Sequence, residues 1–137
     1  MHTFFDSSAF AKRYLKESGT EELLSVLSKA SQVVLSSLCH TELLSAFNRV
    51  RREKRINTAQ YKQLRTNLEQ DLQHAAVLHV STQVLEQAAE LLEQYPLRAL
   101  DSLQVASAVV SRSSLFVSSD GQQCRAAKAA GLKTRQI

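Results

Sequence analysis

The sequence predicts a single α/β domain over residues 1–137, with three layers (α/β/α) around a central parallel sheet of four or five strands. Three observations predict it. The 137 residues are enough for one hydrophobic core. The composition is that of a globular protein, with 44% apolar and 22% charged residues, three glycines and one proline. Short β-forming runs alternate with longer segments of helical period, and no linker, repeat or low-complexity stretch interrupts them.

The strands are predicted from short runs rich in branched and aromatic residues. These runs are residues 3–5, 33–35, 77–80 and 115–117, with a weaker one at 134–137. Because helices separate the strands, parallel pairing is expected. The carboxyl ends of the strands then share one edge of the sheet, which is where such folds bind ligands.

Apolar residues between the strands recur at helical spacing and predict four amphipathic helices. Their predicted buried faces are Leu23, Leu24, Leu27 and Ala30; Leu43, Phe47 and Val50; Tyr61, Leu64, Leu68 and Leu72; and Leu85, Ala88, Leu92 and Tyr95. Pro96 is expected to end the last of these helices, because its ring cannot continue the hydrogen-bond ladder. A helix from 101 to about 112 has small or apolar residues nearly all round and is predicted to be buried. Gly131 is expected to end a final helix.

Charge and cysteine usage narrow the class of protein. The formal charge of +4 is compatible with a polyanionic partner but does not identify one. Cys39 and Cys124 show neither metal-ligand nor redox spacing, and we interpret them as free thiols in a reducing compartment. No window approaches the ~18 to 20 apolar residues of a membrane span, and the N-terminus lacks a secretion signal. A cytoplasmic protein without a membrane partner is expected.

Four acidic residues fall where this architecture places active sites. Asp6 follows the first strand and Asp120 the fourth, Glu42 lies near the start of the helix after the second strand, and Asp101 begins the buried helix. Converging carboxylates repel one another unless cations neutralise them, and Mg²⁺ prefers oxygen ligands. Two such ions would stabilise the attacking and leaving oxygens of a phosphodiester. We therefore predict that all four acids are catalytic residues and metal ligands.

Each acid also has a structural interpretation. Asp6 and Asp101 are good helix N-caps, and the dipole of a helix favours Glu42 in its first turn. Asp120 with Gly121 is a common turn pair. Capping and metal binding are compatible, so the hypothesis rests on the joint spacing of the four acids.

Basic residues suggest where a phosphate backbone would lie. Lys12 and Arg13 follow Asp6 closely and are secondary candidates for substrate binding. Basic surface favours RNA through counterion release, although cations also suit the C-terminal end of a helix. Aromatic residues are only 6% of the chain, so a base-stacking platform is not expected. The densest basic run is Arg49, Arg51, Arg52, Lys54 and Arg55. Arg49 and Arg52 are the predicted substrate-binding residues of this run.

Four motifs, in this order and at this chain length, form a specific pattern. They are Phe5-Asp6-Ser7-Ser8-Ala9, Thr41-Glu42-Leu43-Leu44-Ser45-Ala46, Leu100-Asp101-Ser102-Leu103-Gln104-Val105-Ala106-Ser107-Ala108, and Phe116-Val117-Ser118-Ser119-Asp120. Ala126-Ala127 and Gly131-Leu132 follow them. This pattern resembles the PIN domain family, and within it the VapC-like toxins of bacterial toxin–antitoxin systems.

The resemblance implies a Mg²⁺-dependent endoribonuclease, with Mn²⁺ as an alternative ion, that cuts single-stranded or loop regions of structured RNA. It implies a role as a type II toxin, homodimerisation, and inhibition by a small cognate antitoxin. Ser8 and Ser118 match hydroxyl positions that assist the site, although the family often has threonine where Ser118 stands. The acids that match the family's quartet are Asp6, Glu42, Asp101 and Asp120.

Two other functions use the same features. A PIN-type flap or DNA nuclease would use the same acids, but the chain lacks the large insertions that hold a duplex. A catalytically inert binding module, such as a phosphoacceptor receiver domain, would need an acidic pair near the first strand. Here Asp6 is followed by Ser7 and Ser8.

Overall fold

Five short strands form one sheet in a computed structural model that describes residues 1–137. The strands are β1 (His2–Phe5), β2 (Gln32–Ser36), β3 (Ala76–Leu78), β4 (Leu115–Ser118) and β5 (Lys133–Gln136). Their order in the sheet is β3-β2-β1-β4-β5, and every neighbouring pair is parallel. The predicted parallel sheet is therefore confirmed, including its weak fifth strand.

Seven helices connect the strands. They are α1 (Ser7–Phe10), α2 (Thr20–Lys29), α3 (Leu38–Arg52), α4 (Thr58–His74), α5 (Thr82–Gln94), α6 (Ala99–Val110) and α7 (Gly121–Ala129), with a 3-10 turn at Ala11–Arg13. None of them combines the length and the apolar character that a membrane span requires.

The two faces of the sheet are covered by different helices. Because side chains alternate along a strand, neighbouring residues of β1 enter opposite cores. Phe4 packs with residues of α5, α6 and α7, whereas Phe5 packs with residues of α1 to α4. Phe116 and Val117 divide in the same way on β4. The predicted three-layer α/β/α architecture is confirmed.

The buried faces of α3 and α4 are largely as predicted, but that of α5 is not. Val84, Ala88 and Leu91 are buried, whereas Leu85 is 52% and Leu92 is 44% exposed. Helix α5 carries two apolar stripes about 100° apart, and hydrophobicity alone does not say which of them faces the sheet. Leu24 of α2, predicted to be buried, is likewise 42% exposed.

The four acids lie at or near the N-terminal ends of four helices. Asp6 caps α1 by accepting the N–H of Ala9, and Asp120 caps α7. The N-cap of α6 is Arg98, so Asp101 lies in the first turn and its predicted role as a cap is wrong. Helix α3 begins at Leu38, which puts Glu42 in the second turn and not the first.

The order of the strands creates a switch point between β1 and β4. From β1 the sheet grows through β2 to β3 on one side and through β4 to β5 on the other. Connections leave the carboxyl ends of β1 and β4 in opposite directions, and a crevice forms there in folds of this kind. Asp6 and Asp120 follow these two strands.

Candidate active site

Asp6 is the most buried of the four acids, at 1% exposed. Its Oδ1 accepts the Ala9 N–H at 2.9 Å, and its Oδ2 accepts the Ser118 hydroxyl at 2.9 Å. The Ser8 hydroxyl lies 2.8 Å from both oxygens. Burial raises the pKa of Asp6 from 3.8 to about 6, these donors oppose the rise, and the charge of Glu42 adds to it. The carboxylate joins β1, α1 and β4.

Glu42 is held by partners from two other helices. Its Oε1 accepts the Ser7 hydroxyl at 2.8 Å and the Gln104 amide at 2.7 Å. The Gln104 amide also donates to the Ser7 hydroxyl oxygen, at 3.0 Å. No side chain donates to Oε2 of Glu42. This network fixes one oxygen of a half-buried carboxylate and leaves the other free.

Asp101 is held in the same manner by a residue of α7. Its Oδ1 accepts the Gln123 amide at 3.0 Å, and no side chain donates to its Oδ2. Burial, and then the negative charge of Asp120, raise the pKa of Asp101. The first turn of α6 therefore lies near the start of α7.

Asp120 completes the group after β4. Its Oδ1 accepts the Gln122 N–H at 2.9 Å, and its own N–H donates to the Ser118 hydroxyl at 3.0 Å. The Ser118 hydroxyl thus lies between Asp6 and Asp120. Ser8 Oγ, 3.5 Å from Ser118 Oγ, also accepts the N–H of Ser119 at 3.3 Å. Both predicted hydroxyl residues contact the acids.

The four acids lie along one edge of the sheet but do not form a closed cage. The charge of Glu42 raises the pKa of Asp6, and the charge of Asp120 raises the pKa of Asp101. No three His, Cys, Asp or Glu side chains are close enough to hold a metal ion by themselves. The convergence of all four acids on shared cations therefore stays a prediction, and in this arrangement both oxygens of Asp6 accept hydrogen bonds.

The donor set still fits a hard divalent cation. All four side chains supply oxygen, and three of them retain a carboxylate oxygen to which no side chain donates. Mg²⁺ usually keeps several waters and is bound through one or two carboxylates together with substrate phosphates, so it does not need an all-protein cage. The residues present therefore fit Mg²⁺ better than an ion that must be enclosed by protein ligands.

Two of the predicted substrate-binding residues are engaged elsewhere. Lys12 is 8% exposed, and its ammonium group donates to the Ser18 carbonyl at 2.6 Å and to Glu17 at 3.3 Å. Arg13 forms an ion pair with Asp71 at 2.8 Å. Their nearness to Asp6 in sequence does not make them free for phosphate, so the structure does not support them as substrate-binding residues.

The basic end of α3 contains both fixed and free arginines. Arg51 lies over the ring of Tyr61, 4.5 Å from its centroid, and Arg55 pairs with Glu53 at 3.3 Å. Arg49 and Arg52 are exposed and form no ion pair. These last two are the arginines of the run that remain available to a polyanion.

Gln104 and Gln123, which contact the acids, were missed at the level of sequence. Each follows an acid by three positions, in Asp101-Ser-Leu-Gln104 and Asp120-Gly-Gln-Gln123. The recurrence of Asp-x-x-Gln, and the position of Gln104 between Leu103 and Val105 in a helix of mostly small and apolar residues, could have identified them. Ser7 was overlooked as well, because its neighbour Ser8 resembled the family position.

Comparison with known proteins agrees with this fold. The PIN domain model matches residues 3–129, and the chain belongs to the PIN domain family. No curated protein sequence matches it significantly.

Solved structures resemble the whole chain. FitAcB from Neisseria gonorrhoeae is 17% identical with a TM-score of 0.75, and 96% of this chain and 95% of that chain are covered. VapC20 from Mycobacterium tuberculosis, described as a sarcin-ricin loop cleaving toxin, is 18% identical with a TM-score of 0.73 and coverage of 98% and 99%. VapBC2 from Rickettsia felis, solved with a promoter DNA fragment, is 17% identical with a TM-score of 0.69 and coverage of 100% and 99%.

Proposed function

We propose that this PIN domain protein is a Mg²⁺-dependent endoribonuclease and the toxin of a type II toxin–antitoxin system, acting in the cytoplasm. The proposal rests mainly on one observation. Asp6 and Asp120 follow the two strands of the switch point, and Glu42 and Asp101 accept hydrogen bonds from α1 and α7, the helices that begin there. Three of these four carboxylates present an oxygen to which no side chain donates. Mn²⁺ is an alternative ion, since it accepts the same oxygen donors.

The proposed chemistry assigns a task to each acid. A bound divalent ion supplies the charge that activates water and neutralises a phosphodiester. Glu42, Asp101 and Asp120 would offer their free oxygens to the ion, directly or through its waters, and substrate phosphates would complete the coordination. Asp6 would complete the set once the hydroxyls of Ser8 and Ser118 turn from it, and meanwhile these hydroxyls fix its orientation.

RNA is the proposed substrate because of the surface near the acids. Helix α3 carries Glu42 in its second turn and the free Arg49 and Arg52 in its last turns. Such arginines bind a phosphate backbone without reading bases, in agreement with the scarcity of aromatic residues. VapC20, which has the same fold, is described as a sarcin-ricin loop cleaving toxin.

A small antitoxin and a second copy of the chain are the proposed partners. A structure from Klebsiella pneumoniae with a similar fold is described as a toxin–antitoxin complex, with 12% identity and a TM-score of 0.67. The exposed Leu85 and Leu92 lie on one face of α5, seven positions apart, together with exposed Ala89. Water-exposed leucines in register on a helix favour burial against another protein surface.

The test is cleavage of a structured RNA by the purified protein. We expect cleavage with Mg²⁺, none with EDTA, and none by Asp6→Asn or Asp101→Asn, both of which should keep the circular dichroism of the wild type. Glu69→Gln, which removes an exposed acid of α4, is the matched control and should cleave normally.

A branched DNA assayed in parallel separates the two nuclease functions. Preferential cleavage of the DNA would favour the flap nuclease, and metal binding without cleavage of either nucleic acid would favour an inert module. Full activity of a folded Asp6→Asn or Asp101→Asn protein would refute the assignment of the acids.

A further inference from the structure

Gln104 and Gln123 are buried at the candidate active site, at 2% and 3% exposed. Each donates its amide to an acid on a different helix, from α6 to Glu42 on α3 and from α7 to Asp101 on α6. We propose that both are positioning residues, which hold one oxygen of each acid so that the other oxygen faces the divalent ion. This inference rests on the proposed function.

Packing alone does not explain why these positions are glutamine. The Oε1 atoms of Gln104 and Gln123 are the only buried side-chain oxygens or nitrogens in the protein without a hydrogen-bond partner. A buried carbonyl without a donor costs stability, and an apolar side chain of similar volume would avoid that cost. The part of each side chain that makes a favourable contact is therefore its N–H group, which donates to the acid.

The acids dictate which way each amide points. If the amide of Gln104 were reversed, its carbonyl oxygen would face the carboxylate oxygen of Glu42 at about the present 2.7 Å, and the two would repel. For Gln123 the same contact with Asp101 is 3.0 Å. The amide orientation and the carboxylate orientation thus fix each other.

A capping role does not account for Gln123. A glutamine three residues after the N-cap can accept the backbone N–H of the cap residue. Here the N–H of Asp120 donates to Ser118 Oγ at 3.0 Å, and the amide of Gln123 is directed to Asp101. The amide of Gln123 therefore donates to an acid of the neighbouring helix α6 and does not cap α7.

The two glutamines connect three acids in series. Gln104 links Glu42 to α6, the helix that carries Asp101, and Gln123 links Asp101 to α7, the helix that Asp120 caps. These three acids are the ones with a free oxygen. Hydrogen-bond partners that orient metal ligands commonly raise metal affinity, and their removal weakens it by about 10- to 100-fold.

The experiment is titration of Mn²⁺ into the purified full chain, followed by calorimetry, for wild type, Gln104→Met and Gln123→Met. Methionine keeps the length of the side chain and removes the amide. We expect the Kd for Mn²⁺ to rise about 10- to 100-fold in each variant. The thermal midpoint measured in EDTA should stay the same or rise, because the substitution removes an unpartnered carbonyl. RNA cleavage should recover when Mn²⁺ is raised, which it should not do in Asp101→Asn.

Gln122→Met is the matched control. Gln122 precedes Gln123 on α7, and its side chain is exposed and makes no hydrogen bond. The substitution keeps the backbone N–H that donates to the cap residue Asp120. Its Kd for Mn²⁺ should equal that of the wild type. If Gln104→Met does not fold, Gln104→Leu provides the same test with a smaller side chain.

The outcomes separate this inference from the proposed function. If the wild type binds Mn²⁺ and cleaves RNA while both folded variants bind Mn²⁺ within twofold of it, only the positioning role is refuted. A loss of affinity accompanied by an equal loss of stability in EDTA would also refute it, since the glutamines would then be structural. If the wild type neither binds Mn²⁺ nor cleaves RNA, the proposed function fails and the inference fails with it.

Discussion

Asp6 stabilises the fold through its hydrogen bonds and destabilises it through its buried negative charge. Its carboxylate caps α1 and bridges to β4, which are stabilising contacts. Its burial disfavours the charged form, and the pKa rises to about 6. Asparagine caps helices as well as aspartate does, so Asp6→Asn removes the buried charge and keeps the cap.

Asp6→Asn should therefore stabilise the protein in EDTA at neutral pH. Because the pKa of about 6 in the folded state exceeds the ordinary 3.8, the folded wild type binds the proton more tightly. The contribution of Asp6 to stability is full below about pH 4 and is lost as the pH rises through about 6. We expect the variant to gain about 2 to 3 kcal/mol in unfolding free energy at pH 7 and almost nothing at pH 4.

Urea denaturation at both pH values checks this, with the exposed Glu69→Gln as control. A gain that is the same at pH 4 and pH 7 would show that the buried charge is not its source.

The sequence is informative about residues whose role depends on local context. Asp6 and Asp120 could be placed because each lies within two residues of the end of a recognisable strand. The failures were residues whose role depends on distant partners. Arg13 pairs with Asp71, 58 positions away, and Gln123 donates to Asp101, 22 positions away. Helical period and neighbouring residues do not encode such pairings.

At the scale of elements, α3 combines the two chemistries of the proposed site. Glu42 lies near its start, and the unpaired Arg49 and Arg52 lie near its end, where cations also suit the helix dipole. A polyanion along this helix would pass from the arginines to the acids.

Arg49→Gln and Arg52→Gln should each weaken RNA binding without changing its sequence preference. Removing one arginine–phosphate interaction should reduce the slope of log Kd against log salt by about 1. Binding of a catalytically inactive Asp101→Asn background to RNA, measured at several salt concentrations, checks this. Arg65→Gln is the control, because Arg65 pairs with Glu69 at 2.8 Å on α4. Slopes equal to that of the parent would exclude α3 from the binding surface.

Helix α5 shows why amphipathic period predicts a helix more reliably than its orientation. Val84, Ala88 and Leu91 form one apolar stripe, and Leu85 with Leu92 forms a second. Both stripes have the right spacing, and the choice between them depends on packing against the sheet and α6. The sequence therefore established the helix but not the face that it buries.

At the scale of the whole molecule, the second stripe of α5 is the surface for the proposed second copy of the chain. Leu85→Glu places a charge in that surface and should raise the dimer Kd about 10-fold or more. Size-exclusion chromatography with light scattering over a dilution series checks the prediction. Gln83→Glu adds the same charge on the opposite, exposed side of α5 and should leave the dimer unchanged. An unaltered dimer in Leu85→Glu would place the interface elsewhere.

The position of β1 in the centre of the sheet has a consequence for synthesis. Strand β1 is made well before β4, its partner, so Asp6 meets the Ser118 hydroxyl only after more than a hundred further residues have been made. Asp120 and Gln123 emerge later still. A nascent chain in which β4 and α7 are not yet made therefore lacks the assembled candidate site, and the proposed activity would begin only after these elements have emerged.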